Sequence, residues 1–310
     1  YSLFAPMALQ FPDMDPVLVH LGPFAIRWYA LAYISGLLLG WWLVLRMIHQ
    51  KSLWKNPPFN GKPPATDDDV GDLVVWATLG VILGGRIGWV ILYGFFLCGV
   101  TPDAGGGYCQ GLPMDFFIHP IRIIAVWEGG MSFHGAAIGV LIAIWLFCRK
   151  RKLSFFSIGD LVCAVEPIGQ GLGRLANFVN GELWGRPTTE PWGMVFCSPH
   201  IMAANHGICP AGNIPRHPSQ LYEFALEGVV MLIIMQVGIR KFRWQDKPGL
   251  TSGVFLIGYG VLRIVSELFR EPDAPFLGPI TMGEMLSFLF ILGGLLVVRL
   301  AYRQPKRAIA

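Results

Sequence analysis

Ionisable side chains stand inside, or at the ends of, stretches that are otherwise apolar: Arg86, Glu128, His134, Asp160, Glu166, Arg174, Glu182, Glu223, Glu227, Arg263, Glu267, Arg270 and Glu284. In lipid each costs about 2.5 to 3.5 kcal/mol on insertion scales, so it is retained mainly where it pairs or faces a polar cavity. Arg263, Glu267 and Arg270 follow i, i+4, i+7 and predict one helix face, as do Arg174, Asn177 and Gly181. Arginine–glutamate pairs can simply fix helix register, and for Glu128, Asp160 and Glu284, near segment ends, that is the expected role. Arg263, Arg174 and His134 differ in depth. Counted at about 1.5 Å per residue from the outer segment ends, all three lie on the order of 10 to 17 Å deep. Guanidinium groups present planar donors suited to phosphate. The ligand this chemistry points to is a phospholipid headgroup drawn in from the outer leaflet.

The elements that must hold these groups are membrane spans. Of 310 residues, 54% are hydrophobic and 14% charged, more apolar surface than one soluble core of this length hides. A spanning helix needs about 20 apolar residues, and seven stretches qualify: 23–45, 70–98, 123–148, 157–184, 219–240, 252–270 and 281–301. The expected fold is an all-α integral membrane protein of about seven transmembrane helices. Residues 1–310 form one polytopic domain, with outer loops at 99–122 and 185–218 building a small outer domain. No hydrophilic stretch exceeds about 35 residues, which leaves no room for a soluble catalytic or nucleotide-binding domain. Residues 1–22 lack Lys and Arg and the first apolar run is long and Trp-rich, so that run is expected to stay in the mature protein. Gly36 and Gly40, Gly80, Gly84 and Gly88, and Gly181 and Gly185 recur at the spacing that lets helix backbones approach. Glu166-Pro167 predicts a kink or break in the fourth span.

Lysine and arginine set the orientation. With the N-terminus outside, the cytoplasmic loops hold Arg46, Lys51, Lys55 and Lys62, then 149–152, then Arg240, Lys241, Arg243 and Lys247, then Arg299, Arg303, Lys306 and Arg307. The opposite side holds Arg122, Arg186 and Arg216. The basic residues form no contiguous stripe, so a net charge of +4 implies no nucleic-acid partner. Cys98 with Cys109 and Cys197 with Cys209 then fall outside, where local disulfides are expected, while Cys148 and Cys163 lie near the cytoplasmic face. The spacing Cys197, His200, His206, Cys209 also suits zinc, although an oxidising compartment favours the disulfide.

Other chemistries find little support. No G-x4-G-K-[ST] loop is present, and every Lys lies in a cytoplasmic segment, which excludes a retinal Schiff base. Gly130-Met131-Ser132-Phe133-His134 carries His where a G-x-S-x-G nucleophile elbow needs Gly, and it sits in an apolar span with no strand before it. A transporter or flippase for an anionic lipid or solute also buries arginines. It usually shows broken helices at matching positions of two halves, and here only the fourth span is broken. A purely structural lipid-binding protein is the third class.

The segment Gly173-Arg174-Leu175-Ala176-Asn177-Phe178-Val179-Asn180-Gly181-Glu182-Leu183-Trp184-Gly185 resembles the signature of the prolipoprotein diacylglyceryl transferases. Around it, in the family order, stand Trp28-Tyr29, 84–88, 129–135, 216–223, and Tyr259 followed by Arg263, Glu267, Phe269, Arg270 and Asp273. The similarity runs from about residue 11 to 303, while 98–112 and the Cys197–Cys209 segment depart from the pattern. The resemblance implies a bacterial inner-membrane enzyme. It would move the diacylglyceryl group of phosphatidylglycerol onto the lipobox cysteine of a lipoprotein precursor, making a thioether and releasing glycerol 1-phosphate. His134, Arg174 and Arg263 become the catalytic set. Tyr29, Arg86, Asn177, Asn180, Glu182, Gly185, Tyr259, Glu267 and Arg270 become the substrate-binding set, with Glu267 and Glu182 orienting the two arginines. The nucleophile is the substrate thiol, of pKa about 8.5. His134 takes its proton or only positions the lipid. No metal or organic cofactor is implied.

Overall fold

The computed structural model describes residues 8–22, 24–97, 112–126, 130–271, 275–277 and 280–303. Cys98, Cys109, Glu128 and Asp273 lie outside the described residues. The helices are α1 (Trp28–His49), α2 (Asp67–Trp89), α3 (Leu112–Ile118), α4 (Phe133–Arg151), α5 (Phe155–Cys163), α6 (Glu166–Val179), α7 (Pro199–Ala204), α8 (Ser219–Lys241), α9 (Leu250–Glu267) and α10 (Met282–Arg303). The expectation of an all-α chain misses six short strands: β1 (Leu9–Gln10), β2 (Val17–Leu21), β3 (Phe24–Arg27), β4 (Met194–Val195), β5 (Pro275–Leu277) and β6 (Ile280–Thr281). They pair as β1 with β4, β2 with β3, and β5 with β6.

Five of the described helices are long and apolar enough to cross a membrane: α1, α2, α8, α9 and Gly283–Arg303 of α10. Their outward faces are apolar. Leu38, Trp42, Leu79, Leu289, Leu292 and Leu296 are each at least half exposed, an arrangement that water disfavours and acyl chains cover. The molecule is an integral membrane protein.

Contacts divide the chain into two compact units, Pro64–Ile158 and Tyr1–Pro63 with Gly159–Ala310. In the first, α2 starts with a capping box in which Thr66 Oγ1 accepts from the Asp69 N–H at 3.2 Å and the Asp69 carboxylate accepts from the Thr66 N–H at 3.0 Å. It packs against α4 through bare backbone. A Cβ on Gly84 would stand 2.5 Å from the Gly135 carbonyl oxygen, and one on Gly88 2.5 Å from Gly135 Cα, so the four-residue glycine spacing is a packing seam. The third apolar stretch becomes helical ten residues later than expected. Gly130 sits at φ +77° against the Trp89 ring, and Ser132 Oγ accepts from the Gly135 N–H at 3.3 Å as the N-cap. Ser132 is the N-cap of α4.

In the second unit the fourth stretch is two helices. Pro167 has no N–H to donate, so it stands in the first turn of a new helix, α6, instead of kinking an old one. Asn180 caps its C-terminus, and Gly181 follows at φ +66°. Gly36 of α1 meets Gly169 of α6, and Gly171 of α6 meets Gly228 of α8, again backbone to backbone. Asp160 of α5 accepts from the Gly249 and Ser252 N–H groups at 2.7 and 2.8 Å and fixes the N-terminus of α9. Residues of 185–218 gather into a small core of their own together with the N-terminal segment. β1 pairs with β4 in parallel, and Phe11, Met194, Phe196, Ile201 and Ala211 bury together. Cys197 and Cys209 are joined as a disulfide across this lobe, which removes both thiolates from the zinc alternative.

Candidate active site

In the larger unit α6, α8 and α9 each deliver charge to one buried place. Glu223 and Glu227, one turn apart on α8, are both 0% exposed. Arg174 of α6 holds its Nε 2.9 Å from Glu223 Oε2 and its Nη2 3.4 Å from Glu227 Oε2. Arg263 of α9 donates from Nη1 to Glu223 Oε1 at 3.0 Å, and its Nη2 lies 2.8 Å from Glu267 Oε2. Arg270 reaches the same Glu223 oxygen at 3.6 Å. Glu223 is therefore shared by three arginines. Its partners compensate the desolvation of the carboxylate, which buried alone would cost several kcal/mol.

Glu223 and Glu227 are the residues that sequence reasoning left out of the site, although it noted both as charges in the span. Their i, i+4 spacing, with Glu223 closing the segment Arg216–Glu223, was the available signal. Glu182 corrects a second expectation: among the described residues it does not pair with Arg174. It accepts from Asn177 Nδ2 at 2.8 Å and Asn180 Nδ2 at 3.3 Å. The sequence pattern set Gly181 and Arg270 on helix faces, yet α6 ends at Val179 and α9 at Glu267. Arg270 arrives through a β-bridge to Gly185, a tertiary contact no helical periodicity encodes. The cluster lies about 6 to 8 Å along the helices from their ends, since α6 stops at Val179 and α9 at Glu267, before the apolar stretches do.

The loop above the cluster is closely built. Gly185 donates to the His217 carbonyl at 2.9 Å, and a Cβ on it would stand 2.5 Å from the Phe269 oxygen, so Gly185 acts as a packing point. Arg216 donates to the Ala211 and Gly185 carbonyls at 2.7 and 3.1 Å and pairs with Glu271 at 2.7 Å. Burial pushes the His217 imidazole below its ordinary range. Ser219 and Gln220, both fully buried, donate to the Leu183 and Glu182 carbonyls. Tyr29 of α1 lies where Glu182 and Arg174 act on it electrostatically, as Glu227, Arg174 and Arg263 act on Tyr259. Tyr29, Arg174, Asn177, Asn180, Glu182, Tyr259, Arg263, Glu267 and Arg270 thus converge.

Arg86 and His134 belong to the other unit. Arg86 is 2% exposed and spends donors on the Arg122, Ile123 and Gly130 carbonyls at 2.5, 3.3 and 3.3 Å, with its guanidinium over Trp89. It pins the chain that leads into α4. His134 is in the first turn of α4 and exposed, not the buried histidine of a packed helix interface.

Over residues 16–300 the sequence matches the family model for prolipoprotein diacylglyceryl transferase. The chain belongs to the prolipoprotein diacylglyceryl transferase family. A phosphatidylglycerol–prolipoprotein diacylglyceryl transferase of Rhodospirillum rubrum is 48% identical over 308 residues, 97% of each chain. One of that name from Caulobacter sp. strain K31 is 45% identical over 305 residues, 95% of each. A third, from Phenylobacterium zucineum, is 46% identical over 294 residues, covering 94% of this chain and 93% of its own. The match covers nearly the full length and includes every helix that delivers charge to the arginine–glutamate cluster.

Proposed function

We propose that this protein transfers the diacylglyceryl group of phosphatidylglycerol to the lipobox cysteine of a lipoprotein precursor. The thiolate sulfur bonds to the glycerol carbon that carries the phosphate ester, the carbon–oxygen bond breaks, and glycerol 1-phosphate leaves with the electron pair. The observation that carries this reading is the cluster of Arg174, Arg263 and Arg270 around the buried Glu223. The glutamates hold the guanidinium planes in place, and the positive charge of the cluster stabilises the negative charge that grows on the leaving oxygen. Arg174 and Arg263 are the catalytic cations and Glu267 orients Arg263. His134 either takes the thiol proton or positions the lipid, and the pH dependence of its Gln variant distinguishes the two. Tyr29, Asn177, Asn180, Glu182, Tyr259 and Arg270 line the lipid site, while Arg86 and Gly185 serve it by fixing backbone. The reaction draws on these side chains with no metal or organic cofactor.

We infer seven membrane crossings, made by the five apolar helices, by α4, and by α5 with α6 as one broken span, in a single polytopic domain. The N-terminus and the 99–122 and 185–218 loops face the periplasm, and the C-terminus faces the cytoplasm of the inner membrane. The lysine and arginine asymmetry supports this, as does a disulfide confined to the 185–218 loop.

The test is to incubate the purified protein with phosphatidylglycerol and a lipobox peptide. Transfer adds a diacylglyceryl mass to the peptide cysteine and releases glycerol 1-phosphate in equal amount. Phosphatidylethanolamine, whose headgroup carries its own ammonium, is expected to be a poor donor. Absence of the thioether product would return the protein to the transporter or lipid-binding class.

A further inference from the structure

A cleft of about 530 Å³ opens at the C-terminal ends of α1 and α8, lined by Trp42, Leu43, Arg46, His49, Gln50 and Arg240. At roughly 1.5 Å per residue it lies about 25 Å from the arginine–glutamate cluster, measured along α8 from Glu223 to Arg240 or along α1 from Tyr29 to Arg46. It is a different site, close to a hydrocarbon thickness away. The Arg46 guanidinium rests 5.3 Å over the Trp42 ring, and Arg240 donates to Gln236 Oε1. The two arginines are near enough for their charges to oppose each other. Among the described residues neither has a carboxylate partner within 4 Å. A concave site of one sign concentrates anions.

Apolar stripes lead away from it. Leu39, Trp42 and Arg46 follow i, i+3, i+7 on α1, and Ile233, Val237 and Arg240 follow i, i+4, i+7 on α8. Leu39, Trp42, Ile233 and Val237 are all more than 40% exposed. Two guanidinium groups thus sit at the head of two bare hydrocarbon tracks, the shape of a headgroup with its acyl chains. We propose that this cleft binds the phosphate of an anionic phospholipid, at the end of the helices remote from the candidate active site. The lipid phosphate bridges Arg46 and Arg240 and neutralises their repulsion, and its chains lie along the two stripes. Trp42 lies beneath the headgroup, as aromatic side chains do at membrane interfaces.

The experiment is native mass spectrometry of the full chain in detergent, titrated with dioleoyl phosphatidic acid, dioleoyl phosphatidylcholine or inorganic phosphate. Phosphatidic acid replaces phosphatidylglycerol so that the probe is not the proposed donor. The wild type is expected to hold one more phosphatidic acid than Arg46→Gln/Arg240→Gln, whose affinity at this site falls on the order of 30-fold. Lipid held at the arginine–glutamate cluster remains in both. Arg46→Lys/Arg240→Lys keeps the charges and is expected to keep the extra lipid, which separates loss of charge from misfolding. Equal adduct numbers in wild type and the glutamine variant overturn the site and leave two arginines that merely reach toward water. Equal retention of phosphatidylcholine has the same meaning. Displacement by millimolar phosphate overturns the lipid assignment in favour of a soluble anion.

Discussion

On the proposed mechanism proton transfer and phosphate stabilisation fall to different residues, and pH separates them. If His134 is the base, His134→Gln slows transfer by about 10² to 10⁴. Raising the pH toward the thiol pKa of about 8.5 then restores part of the loss, because thiolate forms without the imidazole. Arg263→Lys keeps the charge but loses the planar fork, so its defect persists at every pH. Paired pH–rate profiles decide, and an Arg263→Lys enzyme of full activity would move phosphate recognition to Arg174. The glutamates differ as well. Glu223→Gln removes the charge shared by three arginines and is expected to cost about 3 to 5 kcal/mol of stability, seen as a lower thermal midpoint, together with most activity. Glu182→Gln still offers an oxygen to Asn177 and Asn180, so it should melt with the wild type. Outside the spans, Asp13 and His200 hold each other at 2.8 Å, and that bond keeps the Asp13 carboxyl below its usual range and lifts His200 above 6.5. The pair strengthens the outer lobe only between those two titrations. It is lost as pH rises through the raised His200 value or falls through the lowered Asp13 value. In Asp13→Asn, imidazole NMR should find the His200 value lowered toward its ordinary range, with Asp15, 3.7 Å from Nε2, still holding it up in part.

At the scale of elements, glycine decides how closely helices approach, and space sets the sign of a substitution. Replacing a mid-helix glycine by alanine gains up to about 1 kcal/mol of helix propensity. On Gly84 the new methyl meets the Gly135 carbonyl at 2.5 Å and Gly139 Cα at 2.7 Å, both backbone that cannot rotate away. Gly84→Ala is expected to force α2 and α4 apart, at a cost of about 1 to 3 kcal/mol or more. A methyl on Gly293 of α10 would meet nothing within 4 Å, so Gly293→Ala should be neutral or slightly stabilising. Thermal unfolding of both variants in one detergent compares them directly. A Gly84→Ala protein as stable as wild type would mean that the seam is looser than its contacts indicate.

For the whole molecule, the charge asymmetry of the loops makes a sharp prediction. A reporter active only in the periplasm, fused after residue 310, should be silent, and one inserted in the 185–218 loop should be active. Activity at the C-terminus would reverse the orientation and place the disulfide-bearing lobe in the cytoplasm, where such a bond is disfavoured. The two ends of the helices carry different chemistry on this reading. One holds arginines gathered around buried glutamates, and the other holds the exposed Arg46 and Arg240.

Composition alone determined that this is a membrane protein, because apolar runs of span length have few other uses. The order of types in 173–185, with its flanking segments, determined the family. Arg174, Arg263 and Glu267 were legible as candidate site residues because a charge inside an apolar run stands out one residue at a time. The partner of each charge was not legible. Glu182 and Glu223 read alike in the sequence, yet only the packing of α6, α8 and α9 decides that Glu223 receives Arg174 while Glu182 receives two amides. Where the spans stop was equally hidden, since Gly130, Pro167 and Gly181 end or start helices inside runs that stay apolar. Hydropathy records the cost of placing a residue in lipid. Helix boundaries and ion pairs depend on backbone hydrogen bonds and distances between segments far apart in the chain, which the fold alone supplies.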